Sequence, residues 1–180
     1  MHQIMKLAVS LVVCLVASAA SAEPLSSADN PKYNSSINPK YNSSINPKYN
    51  SSINPKYNSS INPKYNSSIN PKYNTSINPT YASELNPRYN PSLNPKSSGW
   101  SGFYVYNAEA ERVGAAVIAD RENIAVFDGS LEWAGYLSTN GNGGYNWFSL
   151  DGEWTGYIVP NGTSGFNLFN LEGEWIGFLA

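Results

Sequence analysis

The sequence predicts an all-β domain: four 21-residue β-hairpin repeats in a closed pseudo-four-fold, flower- or propeller-like arrangement, preceded by a low-complexity, mostly disordered repeat tract. Three observations carry this. Glu111, Glu132, Glu153 and Glu174 recur every 21 residues, each followed by Gly114, Gly135, Gly156 or Gly177 and preceded by an aromatic ring, Tyr106, Phe127, Phe148 or Phe169. Trp133, Trp154 and Trp175 directly follow the last three glutamates, whereas the first unit has Arg112 there. Upstream, nine Asn-Pro pairs from Asn30-Pro31 to Asn94-Pro95 keep a strict eight-residue interval. The chain therefore divides into residues 1–22, 23–98 and 99–180.

Residues 1–22 read as a cleaved signal peptide. A basic Lys6 precedes an apolar run from Leu7 to Val16, and the segment closes on Ala20-Ser21-Ala22, a small-x-small cleavage pattern. The run is about half the ~20 apolar residues that a membrane span needs, so no stable span is expected after cleavage. Removal would take away Cys14 and His2, the only cysteine and histidine, leaving no thiolate, imidazole base or usual zinc ligand. An export signal without disulfides suits a bacterial protein delivered to the periplasm or beyond the cell.

The second segment repeats Asn-Pro-Lys-Tyr-Asn-Ser-Ser-Ile. Proline fixes its own φ and pushes the preceding residue toward extended or turn geometry, so neither a helix nor a central strand passes through every eighth residue. One Tyr and one Ile per octad bury little area against about 1–2 kcal/mol of ordering entropy per residue, which predicts a flexible, partly extended stalk. The rival is a regular stack of identical coils built on Ile37, Ile45, Ile53, Ile61, Ile69 and Ile77 with their tyrosines. Residues 23–98 carry eight basic side chains against three acidic ones, and residues 99–180 carry two against ten, so the segments should attract one another weakly.

In the third segment, aromatic-rich runs flank Asp151-Gly152 and Glu172-Gly173, while Asp128-Gly129 lies two residues earlier in its unit. An acid followed by Gly between β-formers signals a tight hairpin, because Gly accepts the positive φ of such turns. Gly-rich connections such as Ser138 to Gly144 and Pro160 to Gly165 separate the units. Simple alternation places Trp133, Gly135 and Leu137 on one strand face and Glu132, Ala134 and Tyr136 on the other, which predicts buried indoles around a common centre.

The steps Phe127-Asp128-Gly129 with Gly135-Tyr136-Leu137, Leu150-Asp151-Gly152 with Gly156-Tyr157-Ile158, and Leu171-Glu172-Gly173 with Gly177-Phe178-Leu179 resemble the bacterial four-fold β-flower domain. That resemblance covers about residues 103–179. It implies hairpins set around a pseudo-four-fold axis and brings no activity or functional residues with it.

No phosphate loop, nucleophile elbow or metal spacing occurs, and no cofactor is expected. The repeated glutamates would bind a hard cation if they pointed inward and would solubilise the surface if they pointed outward; outward is the expectation. The leading functional reading is an exported, non-enzymatic protein whose β-repeat module binds a protein or glycan surface partner from a flexible spacer, with no nucleic acid. The alternatives are a glycan-active enzyme using Glu132, Glu153 or Glu174, and a purely structural surface or matrix protein.

Overall fold

The computed structural model describes residues 25–180; the expected signal peptide, residues 1–22, lies outside them. Eight strands form one closed antiparallel barrel in sequence order: β1 (Phe103–Asn107), β2 (Arg112–Ile118), β3 (Asn123–Asp128), β4 (Trp133–Thr139), β5 (Tyr145–Phe148), β6 (Trp154–Pro160), β7 (Phe166–Asn170) and β8 (Trp175–Leu179). Each 21-residue unit is one hairpin. β1 pairs with β8 through Val105 and Leu179, Tyr106 and Phe178, and Asn107 and Gly177, so no edge is left open. Among the described residues no helix is long and apolar enough to cross a membrane.

The repeated glycines are where neighbouring hairpins approach. A Cβ on Gly135 would meet the Phe148 carbonyl oxygen at 2.7 Å, and one on Gly156 the Phe169 carbonyl oxygen at 2.6 Å. Gly114 stands in the same way against the Phe127 carbonyl and Gly177 against that of Tyr106, which completes the circle. Glycine is required because each hairpin's backbone sits where a side chain would begin.

Inside the barrel, Val105, Ala116, Ile124, Val126, Leu137, Ile158, Leu168 and Leu179 form one buried cluster, with Trp147, Tyr145 and Phe166 against it. The three repeated indoles are not in it. Every hairpin shifts register on its second strand: Phe127 pairs with Trp133 while Val126 pairs with Gly135, Phe148 with Trp154 while Trp147 pairs with Gly156, and Phe169 with Trp175 while Leu168 pairs with Gly177. The extra residue, Ala134, Thr155 or Ile176, is a β-bulge that turns the preceding Trp to the opposite face from its Gly. Alternation through Trp133, Gly135 and Leu137 is therefore broken, and the indoles line the barrel's outer surface beside Tyr136, Phe127, Tyr157 and Phe169.

The octads cover that outer surface. They differ from the expected flexible stalk: Ser35–Ile37, Ser43–Ile45, Ser51–Ile53, Ser59–Ile61, Ser67–Ile69, Thr75–Ile77, Ser83–Leu85 and Pro91–Leu93 are single 3-10 turns separated by Asn-Pro turns. The expected Asn-Pro turns do recur, and no longer helix passes through them. Two asparagines per octad explain the order. The Asn30 carbonyl accepts from Tyr33 N and Asn34 N, both at 3.0 Å, across a Pro that has no donor to lose. Asn34 Oδ1 caps the 3-10 turn by accepting from Ser36 N at 3.1 Å. The side-chain amides then tie coil to coil, with Asn38 Nδ2 donating to the Pro31 carbonyl at 2.8 Å and Asn42 Nδ2 to the Ser36 carbonyl at 2.7 Å. Ile53, Ile61, Ile69 and Ile77 are buried, each contributing about 1.5–3 kcal/mol. Two apolar side chains per octad are too few to order the tract alone; the barrel is the surface that buries these isoleucines and offsets the ordering entropy.

The belt runs opposite to the strand order. Asn167 of β7 donates to the Asp29 carbonyl at 2.8 Å, Asn146 of β5 to the Ile53 carbonyl at 3.1 Å, and Tyr104 of β1 to the Pro95 carbonyl at 2.7 Å. The register is fixed at three octads per hairpin. Asp29 and Ile53 differ by 24 positions where Asn167 and Asn146 differ by 21. Lys32 over Trp175 and Lys56 over Trp154 repeat the same 24 against 21. Ile45 against Val159 and Phe169, and Leu93 against Val117 and Phe127, give 48 against 42.

Candidate functional site

The hairpin turns place the four repeated glutamates. The residue after each repeated aromatic, Asn107, Asp128, Ser149 or Asn170, closes the turn with its side-chain oxygen, which accepts from Glu111 N at 2.8 Å, Glu132 N at 2.9 Å, Glu153 N at 3.2 Å and Glu174 N at 2.8 Å. Each Glu is thus held by its own backbone at one end of the barrel, and all four are exposed. Asn107 Nδ2 donates to the Glu111 carboxylate and Asn170 Nδ2 to that of Glu174, at 2.8 and 2.7 Å. Glu132 makes a 2.6 Å bridge to Arg88 of the belt. Among the described residues no three His, Cys, Asp or Glu side chains group closely enough to hold a metal.

The repeated aromatic rings and indoles form the layer between barrel and belt. Tyr106, Phe127, Phe148 and Phe169 are buried there. Phe148 stacks on Tyr136 and Phe169 on Tyr157, each at 5.6 Å between centroids, and Tyr106 on Phe178 at 4.8 Å. Trp133 donates from Nε1 to the Gly135 carbonyl at 2.9 Å. Trp154 and Trp175 are half-buried with Lys56 and Lys32 above their rings, at 5.8 and 5.2 Å from the centroids. The Tyr136 and Tyr157 hydroxyls are buried with no partner in the protein, and burial pushes both far above the ordinary tyrosine pKa.

The surface most unlike an ordinary solvated face is on the belt. Tyr33, Tyr41, Tyr49, Tyr57, Tyr65, Tyr73, Tyr81 and Tyr89 are each 65–76 % exposed, one per octad, on backbone whose turns are fixed by hydrogen bonds. Lysine ammoniums accompany them: Lys40, Lys48, Lys64 and Lys72 lie 5.6–5.8 Å from the ring centroid of the following Tyr. Within an octad the aliphatic residue faces the barrel and the aromatic one faces solvent. The sequence shows the tyrosines and their period but not this division of faces, which depends on the barrel being underneath. Each exposed ring is a flat apolar surface able to stack on a planar or pyranose ring, and at Tyr41, Tyr49, Tyr65 and Tyr73 the lysine beside it attracts negative charge. Compared with protein families, curated proteins and solved structures, the chain gives no match.

Proposed function

We propose that the chain is an exported, non-enzymatic binding protein in which the β-barrel is the scaffold and the octad belt presents the recognition face, a row of tyrosines and lysines that engages an extended glycan strand. The four-fold β-flower family and the periplasmic or extracellular location belong to this same reading. One observation carries it: eight large rings are held outward at a constant octad interval. Single exposed apolar groups are ordinary, whereas eight rings spaced at one interval on a hydrogen-bonded backbone form a regular array suited to a repeating ligand. A repeating ligand meets a repeating surface with additive contacts, so modest affinity per ring sums along the strand.

Co-sedimentation of the chain with insoluble chitin, cellulose and cell-wall peptidoglycan tests this, alongside a variant with Tyr33, Tyr41, Tyr65 and Tyr73 changed to Ser. Binding of the parent to at least one polymer, reduced about tenfold or more in the variant, is the expected result. Equal binding by both would overturn it. The glycan-active alternative rests on the repeated acids; Glu132→Gln, Glu153→Gln and Glu174→Gln, assayed singly for glycan turnover, separate the two, and any turnover lost in one of them would favour the enzyme.

A further inference from the structure

We propose that the seam between the belt and the third hairpin holds a binding site for one acidic sugar residue, a six-membered ring bearing a carboxylate. An open pocket of about 220 Å³ is lined there by Lys48, Asn54, Lys56 and Tyr57 from the belt and by Trp154 and Leu171 from the barrel. Its volume is below the ~300–1,000 Å³ of drug-sized pockets, which suits a single ring rather than an oligosaccharide.

The lining specifies the chemistry. Lys48 and Lys56 are its only charged groups, and neither forms an ion pair, since the one salt bridge among the described residues joins Arg88 to Glu132. Two lysines without an ion-pair partner, one ammonium over the Tyr49 ring and the other over Trp154, border the same space and favour an anion there. Leu171 and the part of the Trp154 indole left open beside Lys56 supply an apolar wall for the C–H face of a pyranose, and the Tyr57 hydroxyl adds a donor and acceptor for ring hydroxyls. Asn54 is already committed to the frame. Its Nδ2 donates to the Pro47 carbonyl and its Oδ1 accepts from Lys56 N, both at 2.8 Å, so it fixes the backbone that carries Lys56.

The three-octad register explains why the pocket forms at Trp154. Moving one hairpin back to Trp133 replaces Lys48 and Lys56 by the residues 24 positions later, Lys72 and Thr80. One hairpin forward, Trp175 has Lys32 in the place of Lys56, and among the described residues no counterpart of Lys48. Only the third hairpin receives both cations. The site shares Tyr57 and Lys48 with the row of tyrosines and lysines, and it stands whether or not that row binds polymer.

The test is titration of the full chain with trigalacturonate, galactotriose and inorganic sulfate, by isothermal calorimetry and by the indole N–H resonance of Trp154. One trigalacturonate per chain is expected, with a shift of the Trp154 resonance and affinity reduced about tenfold or more in Lys48→Gln and in Lys56→Gln, both exposed positions whose change leaves the melting temperature in place. Galactotriose is expected to bind at least tenfold more weakly, as is sulfate, which has no ring for the indole. Equal affinity for galactotriose or for sulfate, lysine variants without effect, or no binding of trigalacturonate at millimolar concentration would each overturn it. The four-tyrosine variant described above keeps Tyr57 and should bind trigalacturonate as the parent does, so failure of the tyrosine row and failure of this pocket are told apart.

Discussion

Leu131 and Ala110 carry the strain of the hairpin turns. Both have positive φ, 61° and 62°, at the position where the third and fourth hairpins have Gly152 and Gly173 at 81° and 82°. The expectation that Gly129 supplies the turn in the second hairpin is therefore displaced by two residues, because Asp128 is the turn-closing residue, equivalent to Asn107, Ser149 and Asn170, and the left-handed residue comes three positions after it. An L side chain in this region costs about 1–2 kcal/mol, so Ala110→Gly should raise the unfolding free energy by about 1 kcal/mol in urea titrations. The buried tyrosines make a pH prediction. Unfolded Tyr136 and Tyr157 ionise near 10.0 and the folded ones well above it, because burial disfavours the phenolate. Their contribution to stability is fully present below pH 10 and is lost as the pH rises above it, so the melting temperature should fall steeply on the alkaline side. Tyr157→Phe removes a hydroxyl with no partner; it should leave neutral-pH stability unchanged or higher and flatten the alkaline fall.

At the scale of elements, the sequence revealed some features and concealed others for identifiable reasons. The 21-residue recurrence of Gly114, Gly135, Gly156 and Gly177 located four hairpins, because a backbone contact repeated around a ring demands the same residue each time. The turn-closing Asn107, Asp128, Ser149 and Asn170 were hidden behind the stronger Asp151-Gly152 and Glu172-Gly173 signals two residues further on. The bulges were hidden too, since a register shift is a property of two strands and leaves the alternation of Trp133, Gly135 and Leu137 looking intact. So was belt docking, because the octad's stability comes from asparagine side chains bonded across coils and from a barrel face some 90 residues away. The belt predicts a contrast between deletions. Removing one whole octad, residues 62–69, refills the places of residues 38–69 with identical side chains and gives up only the first octad's contacts, those of Asp29 with Asn167 and Lys32 with Trp175 among them, so it should cost roughly 2–5 kcal/mol or less by chemical denaturation. Removing residues 62–65 alone sets tyrosines where isoleucines belong and should detach the belt upstream, read as new protease cleavage within residues 30–61.

The molecule as a whole is a double-layered object: a barrel closed by β1 against β8, and a belt counter-wound over the aromatic surface that the bulges turn outward. Opposite charge on the two layers assists, although its one exposed ion pair, Arg88 with Glu132, is worth only about 0.2–1 kcal/mol. Closure depends on the glycine ring. Gly177→Ala puts a methyl group against the Tyr106 carbonyl at the closing pair and should destabilise the chain by about 1–3 kcal/mol or more in a thermal melt. The most direct measurement is amide hydrogen exchange on the full chain at the Tyr49, Asn50, Tyr57 and Asn58 N–H groups, which donate to the Asn46 and Asn54 carbonyls at 2.9–3.0 Å. Protection within reach of the barrel's own strand amides is predicted for a belt that opens only when it leaves the barrel. Exchange of those four amides at unstructured-chain rates, with the barrel protected, would contradict it.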